Sequence, residues 1–336
     1  MNANENQEHA TLCVVCPCYN EQEVLFEFYT ELVRTLNALP VDGHIIFVDD
    51  GSKDQTLAVL DSLAEQDERV IVLSLSRNFG HQIALTAGLD HVSDDVDAVV
   101  MMDCDLQHPP DVIADFIDCW RKGADVVSAI RRQTEEASRI KRWSAAAFYY
   151  LINKASDTHI VPNAADFVLL SKQAREALQA MPERHRFLRG MISWIGFRRE
   201  YIHFDAPPRA AGNSKYTMRK MVALARDAAF SFSSAPIRLA SRLGAALATA
   251  GFLYLTYVVL RYLILRDLVP GWSSLICITL IVGGFQLFFL GLVGEYVARV
   301  FEESKGRPLY FVRSERRSRS RSSEHDALEV GNEFTK

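Results

Sequence analysis

The sequence predicts an α/β fold, a mostly parallel sheet flanked by helices, with a C-terminal two-helix transmembrane hairpin. Three observations carry this. Between Thr11 and about Ile130, short apolar runs rich in β-branched residues alternate with segments of helical period. The fourth of these runs delivers Asp103-Cys104-Asp105 into a loop that Pro109 and Pro110 turn into the next helix. Near the C-terminus, Leu243 to Leu260 is 18 residues without a charge and Trp272 to Gly294 is 23.

The 336 residues suffice for one large α/β domain plus something smaller. A net charge of −5 argues against a nucleic-acid groove, which needs a strongly basic face. Met1 to Ala10 is polar and lacks the basic and apolar regions of a signal peptide, so a disordered start at 1–10 and a cytoplasmic N-terminal half are expected. Six cysteines suit that compartment as buried free thiols; Cys13-x-x-Cys16 finds no second pair to complete a zinc site.

The expected strands are Leu12 to Cys16, Ile45 to Val48, Val70 to Ser74, Ala98 to Met102 and Val126 to Ile130, with helices such as Val24 to Leu39 and Gln55 to Ala64 between them. Parallel sheets bind ligands outside the carboxyl ends of their strands. Four polar crests follow the first four runs there: Pro17 to Glu21, Asp49 to Asp54, Arg77 to His81, and the Asp-x-Asp. Neither a dinucleotide fingerprint nor a P-loop occurs, so those motifs do not explain the rim. Carboxylates on such an edge are hard ligands for Mg²⁺ or Mn²⁺, whose shell is normally completed by water and substrate phosphates. Two solvated turn aspartates are the plainer alternative.

Pro17 to Glu21, Val48-Asp49-Asp50-Gly51-Ser52-x-Asp54-x-Thr56 and Asp103-x-Asp105-Leu106-Gln107-His108-Pro109, in that order, resemble the inverting family 2 nucleotide-sugar glycosyltransferases of GT-A fold. The likeness continues through Ala165-Asp166-Phe167, Met181 to Arg184, Arg209-x-x-Gly212-x-Ser214-Lys215-Tyr216 and Gly294-Glu295-Tyr296, and so covers roughly residues 11 to 313. That set resembles the polyprenyl-phosphate glycosyltransferases. One departure stands out: related sequences often read Asp-Phe-Arg where this chain has Asp166-Phe167-Val168.

By resemblance, Pro17, Tyr19 and Glu21 shape the nucleoside pocket and Asp50 accepts from the base, while Asp49 is as suited to cap the following helix. Arg77 and Asn78 lie at the sugar-nucleotide rim. Asp103 sits near the ribose and the metal, Asp105 is the principal ligand of Mg²⁺ or Mn²⁺, and Gln107 is the next candidate. The acceptor phosphate falls to Arg131, Arg209, Ser214 and Lys215, and Asp166 orients the acceptor or takes a residual proton. Asp166, Asp105, Arg209 and Lys215 are thus the catalytic set that the resemblance implies. It also implies transfer of one sugar from a nucleotide donor to a membrane polyprenyl phosphate such as undecaprenyl phosphate. UDP-glucose is the first expectation for the donor, followed by UDP-N-acetylhexosamine, a modified pentose donor or GDP-mannose. A processive polysaccharide synthase would carry a Gln-x-x-Arg-Trp segment and more spanning helices, and a non-catalytic scaffold would not need the acidic set.

The remaining chain sets the domain limits. A catalytic domain is expected over 11–215, including a polar, basic connection from Arg131 to Arg142 that reads as an acceptor-side loop and an aromatic-rich amphipathic helix from Trp143 to Ile152. Met218 to Phe232 mixes bases with apolar residues, as interfacial amphipathic helices at 216–240 would. Transmembrane helices follow within 241–298, at about 243–264 and 272–295, each long enough for a hydrocarbon core of about 30 Å. Arg219, Lys220, Arg226, Arg238 and Arg242 precede the pair, and Arg299, Lys305, Arg307 and Arg313 follow it, against Arg261 and Arg266 in the connector. Both ends are therefore expected in the cytoplasm of a multi-pass inner-membrane protein. A cytoplasmic tail at 299–336, disordered from about 314, and a homo-oligomer formed through the spanning helices complete the expectations.

Overall fold

The computed structural model describes residues 10–132, 164–205, 235–265 and 271–318. Its first unit, which holds residues 10–132, 164–205 and 308–318 of these, is built on an eight-stranded sheet. The chain lays down β1 (Ala10–Cys18), α1 (Leu25–Ala38), β2 (Val41–Asp49), α2 (Thr56–Gln66), β3 (Val70–Leu75), α3 (His81–Asp90), β4 (Ala98–Met101), α4 (Val112–Arg121) and β5 (Val126–Arg131). There follow β6 (Ala164–Ser171), α5 (Lys172–Gln179), α6 (Leu188–Trp194) and β7 (Arg199–Phe204), then two long helices and β8 (Val312–Arg317).

Strand order is β7-β5-β6-β4-β1-β2-β3-β8. From β1 the chain winds one way through β2 and β3, then crosses back to place β4 on the other side of β1, all parallel. That reversal opens a crevice between the carboxyl ends of β1 and β4, where sheets of this kind take ligands. The sheet is more mixed than the sequence suggested. β6 runs antiparallel between β4 and β5, because the chain leaves β5 at the ligand edge and returns from that edge with Ala164 opposite Ile130.

Core residues fill both faces of the central strands, which is why β1, β2 and β4 read as continuous apolar runs rather than alternating ones. Helix α1 buries Leu25, Phe28, Leu32 and Leu36, one stripe at helical spacing, and Phe28 meets Phe47 of β2 edge to face. Phe116 of α4, Phe167 of β6 and Phe204 of β7 pack as a second aromatic group. Gly88 is required by close approach: a Cβ there would run into the Val15 side chain, so α3 lies unusually tight on β1.

Several expected boundaries shift. Strand β1 begins at Ala10, which is buried, so order starts one residue before the expected domain. Disorder from about 314 gives way to β8, which pairs antiparallel with β3 from Val312 to Arg317; an otherwise open sheet edge supplies the hydrogen bonds. The segments 133–163 and 206–234, which include most of the basic connection, the helix expected from Trp143 to Ile152 and the amphipathic stretch from Met218 to Phe232, lie outside the described residues.

In the second unit, α7 (Ala235–Leu265) has 31 residues and α8 (Trp272–Ser304) has 33. Each contains a stretch long and apolar enough to cross a membrane, and their large apolar side chains, among them Phe252, Leu263, Leu287 and Phe288, are exposed. Helix α7 starts inside the span assigned to interfacial helices, with Pro236 in its first turn where no backbone N–H is needed. Helix α8 continues past the expected end through Glu295 and Arg299, four residues apart and paired at 3.6 Å, before stopping at Ser304.

Candidate active site

Three of the four crests are stitched together by their own polar groups. Asn20 N–H donates to Ser52 Oγ, Lys53 N–H to Asn20 Oδ1, and Glu21 N–H to Thr56 Oγ1, so the loops after β1 and β2 form one ledge. Asn20 takes a φ of 54°, a conformation its short polar side chain tolerates. Gly51, at φ 68°, is needed twice over: a Cβ there would lie 2.7 Å from the Arg77 carbonyl carbon and 2.8 Å from Asn78 N. The third crest therefore rests directly on the second.

Asp50 locks that junction. Its two oxygens accept from Phe79 N–H at 2.7 Å and Gly80 N–H at 2.9 Å, at the N-terminus of α3, and the residue is 3% exposed. Burial pushes its pKa up, and the two backbone hydrogen bonds oppose that rise. The carboxylate expected to read a nucleobase thus first positions the third crest, with one lone pair on each oxygen left over. Asp49 does not cap α2. It accepts from Ser52 N–H at 3.1 Å and closes its own turn, while Asp54 accepts from Thr56 N–H.

In the fourth crest, His108 folds the Asp-x-Asp loop back on itself. Its Nδ1 accepts from Asp103 N–H at 3.0 Å, and its ring stacks on Phe167 at 5.1 Å in the aromatic group. Asp105 Oδ1 accepts from Gln107 N–H. Between them Leu106 is held at φ 60°, a left-handed conformation costing a branched residue about 1–2 kcal/mol. Cys104 points the other way, buried, with its Sγ 3.5 Å from Cys18 Sγ and 3.3 Å from Pro17 O, which ties the fourth crest to the first. Cys13, Cys16, Cys18 and Cys104 are buried free thiols whose pKa values burial raises, as expected of structural cysteines; for Cys104 the hydrogen bond with Cys18 raises it first.

A charged group that sequence reasoning did not assemble lies beside these crests. Asp166, near the start of β6, receives Arg189 Nε at 2.6 Å and Nη2 at 3.1 Å, a bidentate pair, and Gln82 Nε2 at 3.2 Å. His81 Nε2 lies 3.4 Å from Asp166 Oδ2 and 3.5 Å from Asp103 Oδ1, bridging the two acidic residues. Gln82 also accepts Leu188 N–H at 2.9 Å, anchoring α6 so that Arg189 faces Asp166. Burial would raise the Asp166 pKa, but the Arg189 charge and hydrogen bonds from His81 and Arg189 hold it well below the usual carboxylate range. For His81, desolvation works against the charged ring; Asp103 and Asp166 overturn it and raise the pKa to about 9. The imidazole is 40% exposed, so solvent tempers that shift, but the direction is set by two carboxylates within 3.5 Å.

The other expected residues fall as follows. Pro17 is the next-to-last residue of β1, paired with Val48, and Tyr19 and Glu21 sit half-buried in the first crest. Arg77 is exposed and folds its guanidinium over Phe79, 4.1 Å from the ring centroid. Arg131 is exposed at the carboxyl end of β5, on the same edge as the crests. Arg209, Ser214 and Lys215 lie outside the described residues. Val168, where relatives often carry arginine, is buried and paired with Met101. Among the described residues no three His, Cys, Asp or Glu side chains converge into a metal cage. Two partly exposed carboxylates are nevertheless the donor set that Mg²⁺ or Mn²⁺ uses when substrate phosphates complete the shell, so Asp103 and Asp105 fit such an ion.

The glycosyl transferase family 2 model matches residues 13–178 and the GtrB C-terminal hairpin model matches residues 235–300. A bactoprenol glucosyl transferase of Shigella phage SfV is 38% identical over 91% of this chain and 99% of its own. A prophage bactoprenol glucosyl transferase homologue of Escherichia coli K12 is 37% identical over 90% and 98%. An uncharacterised glycosyltransferase of Synechocystis is 38% identical over 90% and 94%. The chain is a membrane-associated glycosyltransferase and belongs to glycosyl transferase family 2, in the group that ends in the GtrB hairpin.

Proposed function

We propose that the chain transfers a single glucosyl residue from UDP-glucose to a membrane polyprenyl phosphate, such as undecaprenyl phosphate, with inversion at the anomeric carbon. One observation carries this reading: relatives named bactoprenol glucosyl transferase align over nine-tenths of the chain, across both the sheet and the hairpin. The donor then occupies the crevice between β1 and β4, with its nucleoside against Pro17, Tyr19, Glu21 and Asp50 and its sugar diphosphate toward Arg77 and Asp103. Mg²⁺ or Mn²⁺, held by Asp105 with Asp103 and Gln107 beside it, would neutralise the diphosphate as the anomeric bond breaks.

A lipid phosphate is an anion at neutral pH, so it needs positioning and charge compensation more than a strong base. Arg131, Arg209, Ser214 and Lys215 are the residues proposed to hold it. Asp166 suits an orienting role better than the proton-accepting one, because a carboxylate held far below its usual range by Arg189 and His81 is a weak base. Attack opposite the departing diphosphate gives a β-linked product from an α-linked donor. The hairpin is proposed to cross the inner membrane with both ends in the cytoplasm.

Membranes containing the chain, incubated with radiolabelled sugar nucleotides and undecaprenyl phosphate, should make labelled lipid from UDP-glucose. Labelling from another donor alone would overturn the choice of sugar, and lipid-independent polymer would overturn the acceptor. Reporters after Arg313 and near Asp267 should read cytoplasmic and periplasmic respectively; the reverse would refute the orientation.

A further inference from the structure

The chain that follows α8 returns to the sheet beside the third crest. Tyr310 Oη donates to Asp90 Oδ2 at 3.0 Å, and its ring lies 6.1 Å from that of His91, at the C-terminal end of α3. The next residue, Phe311, accepts Ser76 N–H through its carbonyl at 2.8 Å. Val312 pairs with Leu75, and Arg313 Nη2 donates to Ser76 O at 2.7 Å. Both backbone polar groups of Ser76 are thus held by the C-terminal strand. Ser76 immediately precedes Arg77 and Asn78, whose backbone rests on Gly51, and Phe79 and Gly80, whose amides bind Asp50.

These contacts have no equivalent on the rest of β8. Further along, Arg316 meets Asp61 of α2 at 3.5 Å, and Arg317 pairs with Glu315 on its own strand. Strand pairing alone would protect the sheet edge. It would not need a guanidinium reaching across to the one carbonyl that leads into the crest, next to the bulge where the β3–β8 register shifts at Ser74 and Leu75. Tyr310 and Arg313 hold α3 and the crest from opposite ends: α3 at Asp90, and the crest at Ser76.

We propose that the post-hairpin strand is a positioning element for the Arg77–Gly80 crest, with Arg313 the residue that fixes it, so that the donor-side rim takes its working shape only when the chain beyond the hairpin is docked. The consequence for catalysis rests on the reading of that crest as part of the sugar-nucleotide site. Arg313 is exposed, so its substitution should leave the domain folded.

The experiment compares full-length Arg313→Ala, Arg313→Lys and Arg316→Ala in detergent, by amide hydrogen exchange and steady-state kinetics with UDP-glucose and undecaprenyl phosphate. Arg313→Ala should speed exchange at Phe79 and Gly80 and raise KM for UDP-glucose about fivefold, as the net loss of one solvent-exposed hydrogen bond would, with KM for the lipid unchanged. Arg313→Lys should recover most of both, since an ammonium can donate to one carbonyl. Arg316→Ala, which alters the same strand away from the crest, should leave both at wild type. Unchanged exchange in Arg313→Ala, or equal effects from Arg316→Ala, would overturn the proposal. Faster exchange with an unchanged KM for UDP-glucose would uphold the positioning and overturn instead the placing of the donor at this crest.

Discussion

Gly51→Ala should damage stability and donor binding together. Two costs add. At φ 68° an alanine sits in the left-handed region, which costs a non-glycine residue about 1 kcal/mol or somewhat more. Its Cβ would also sit 2.7 Å from the Arg77 carbonyl carbon and 2.8 Å from Asn78 N, and both are backbone atoms that cannot swing aside. Relieving such overlap means moving the third crest by several tenths of an ångström, at a typical overpacking cost of about 1–3 kcal/mol. The sum is about 3 kcal/mol, or roughly 6–12 °C in Tm for a domain of this size. Because Asp50 binds the same crest through Phe79 and Gly80, the shift should also raise KM for UDP-glucose.

Gly123→Ala separates the two costs. Gly123 has φ 91°, but the nearest atom to its Cβ would be the Arg198 guanidinium at 3.3 Å, the far end of a flexible side chain. Only conformational strain remains, about 1 kcal/mol, with no effect on KM. Thermal unfolding of the purified proteins and donor kinetics decide the matter. If Gly51→Ala melts within a degree or two of wild type, or loses no more than Gly123→Ala, the close approach of the two crests is not what demands glycine there.

Asp105→Asn should lower transfer by more than about 100-fold while Tm and membrane association hold, as loss of a principal metal ligand requires; full activity in chelator would refute the metal reading. Asp166→Asn keeps the shape but removes the charge facing Arg189 and His81, so turnover should fall about 10- to 100-fold with KM for UDP-glucose nearly unchanged. A change confined to nucleotide affinity would instead put Asp166 on the donor side. For acid stability, Asp67 is the group to watch. Its pKa is lowered to about 2, first by the hydrogen bond from Arg69, with burial opposing and Tyr29 assisting. A depressed carboxylate contributes stability that is present above its unfolded pKa, near 3.8, and lost as pH falls toward 2. Asp67→Asn should therefore lower Tm at pH 7 and narrow the gap to wild type as pH drops through that window; a constant gap would mean that the ion pair contributes nothing.

The layers were legible because each strand-helix unit announces itself locally. β1, β2 and β4 are short apolar runs ending in polar crests, and a parallel sheet dictates that those crests share an edge. β6 and β8 escaped because their pairing is decided far away. Val312–Arg317 is a basic, polar segment with no strand pattern, and it is ordered only because β3 offers an open edge. Long-range partners likewise hid the structural work of Asp50, since the amides it binds are 29 and 30 residues away. The motif told which residue types stand on the rim but not which of them hold one another.

The Asp166 group shows what such hidden pairing does to a mechanism. From the sequence alone, an acidic residue opposite the acceptor phosphate can be a base or a guide. Arg189, 23 positions on, and His81, in the third crest, favour the guide, because together they stabilise the carboxylate as an anion. With Asp103 the four side chains balance, two acidic and two basic when His81 is protonated, so the group has no spare positive charge for incoming phosphates. A sugar nucleotide diphosphate and a lipid phosphate together bring several negative charges into one crevice, and an uncompensated buried charge is too costly to leave standing. On the proposed reading the compensation comes from outside this balanced group, from a divalent cation held by Asp105 and from bases such as Arg131, Arg209 and Lys215. That division of labour predicts that the 206–215 segment and the metal act on different substrates: removing Lys215 should raise KM for the lipid phosphate, and removing Asp105 should abolish transfer at any lipid concentration.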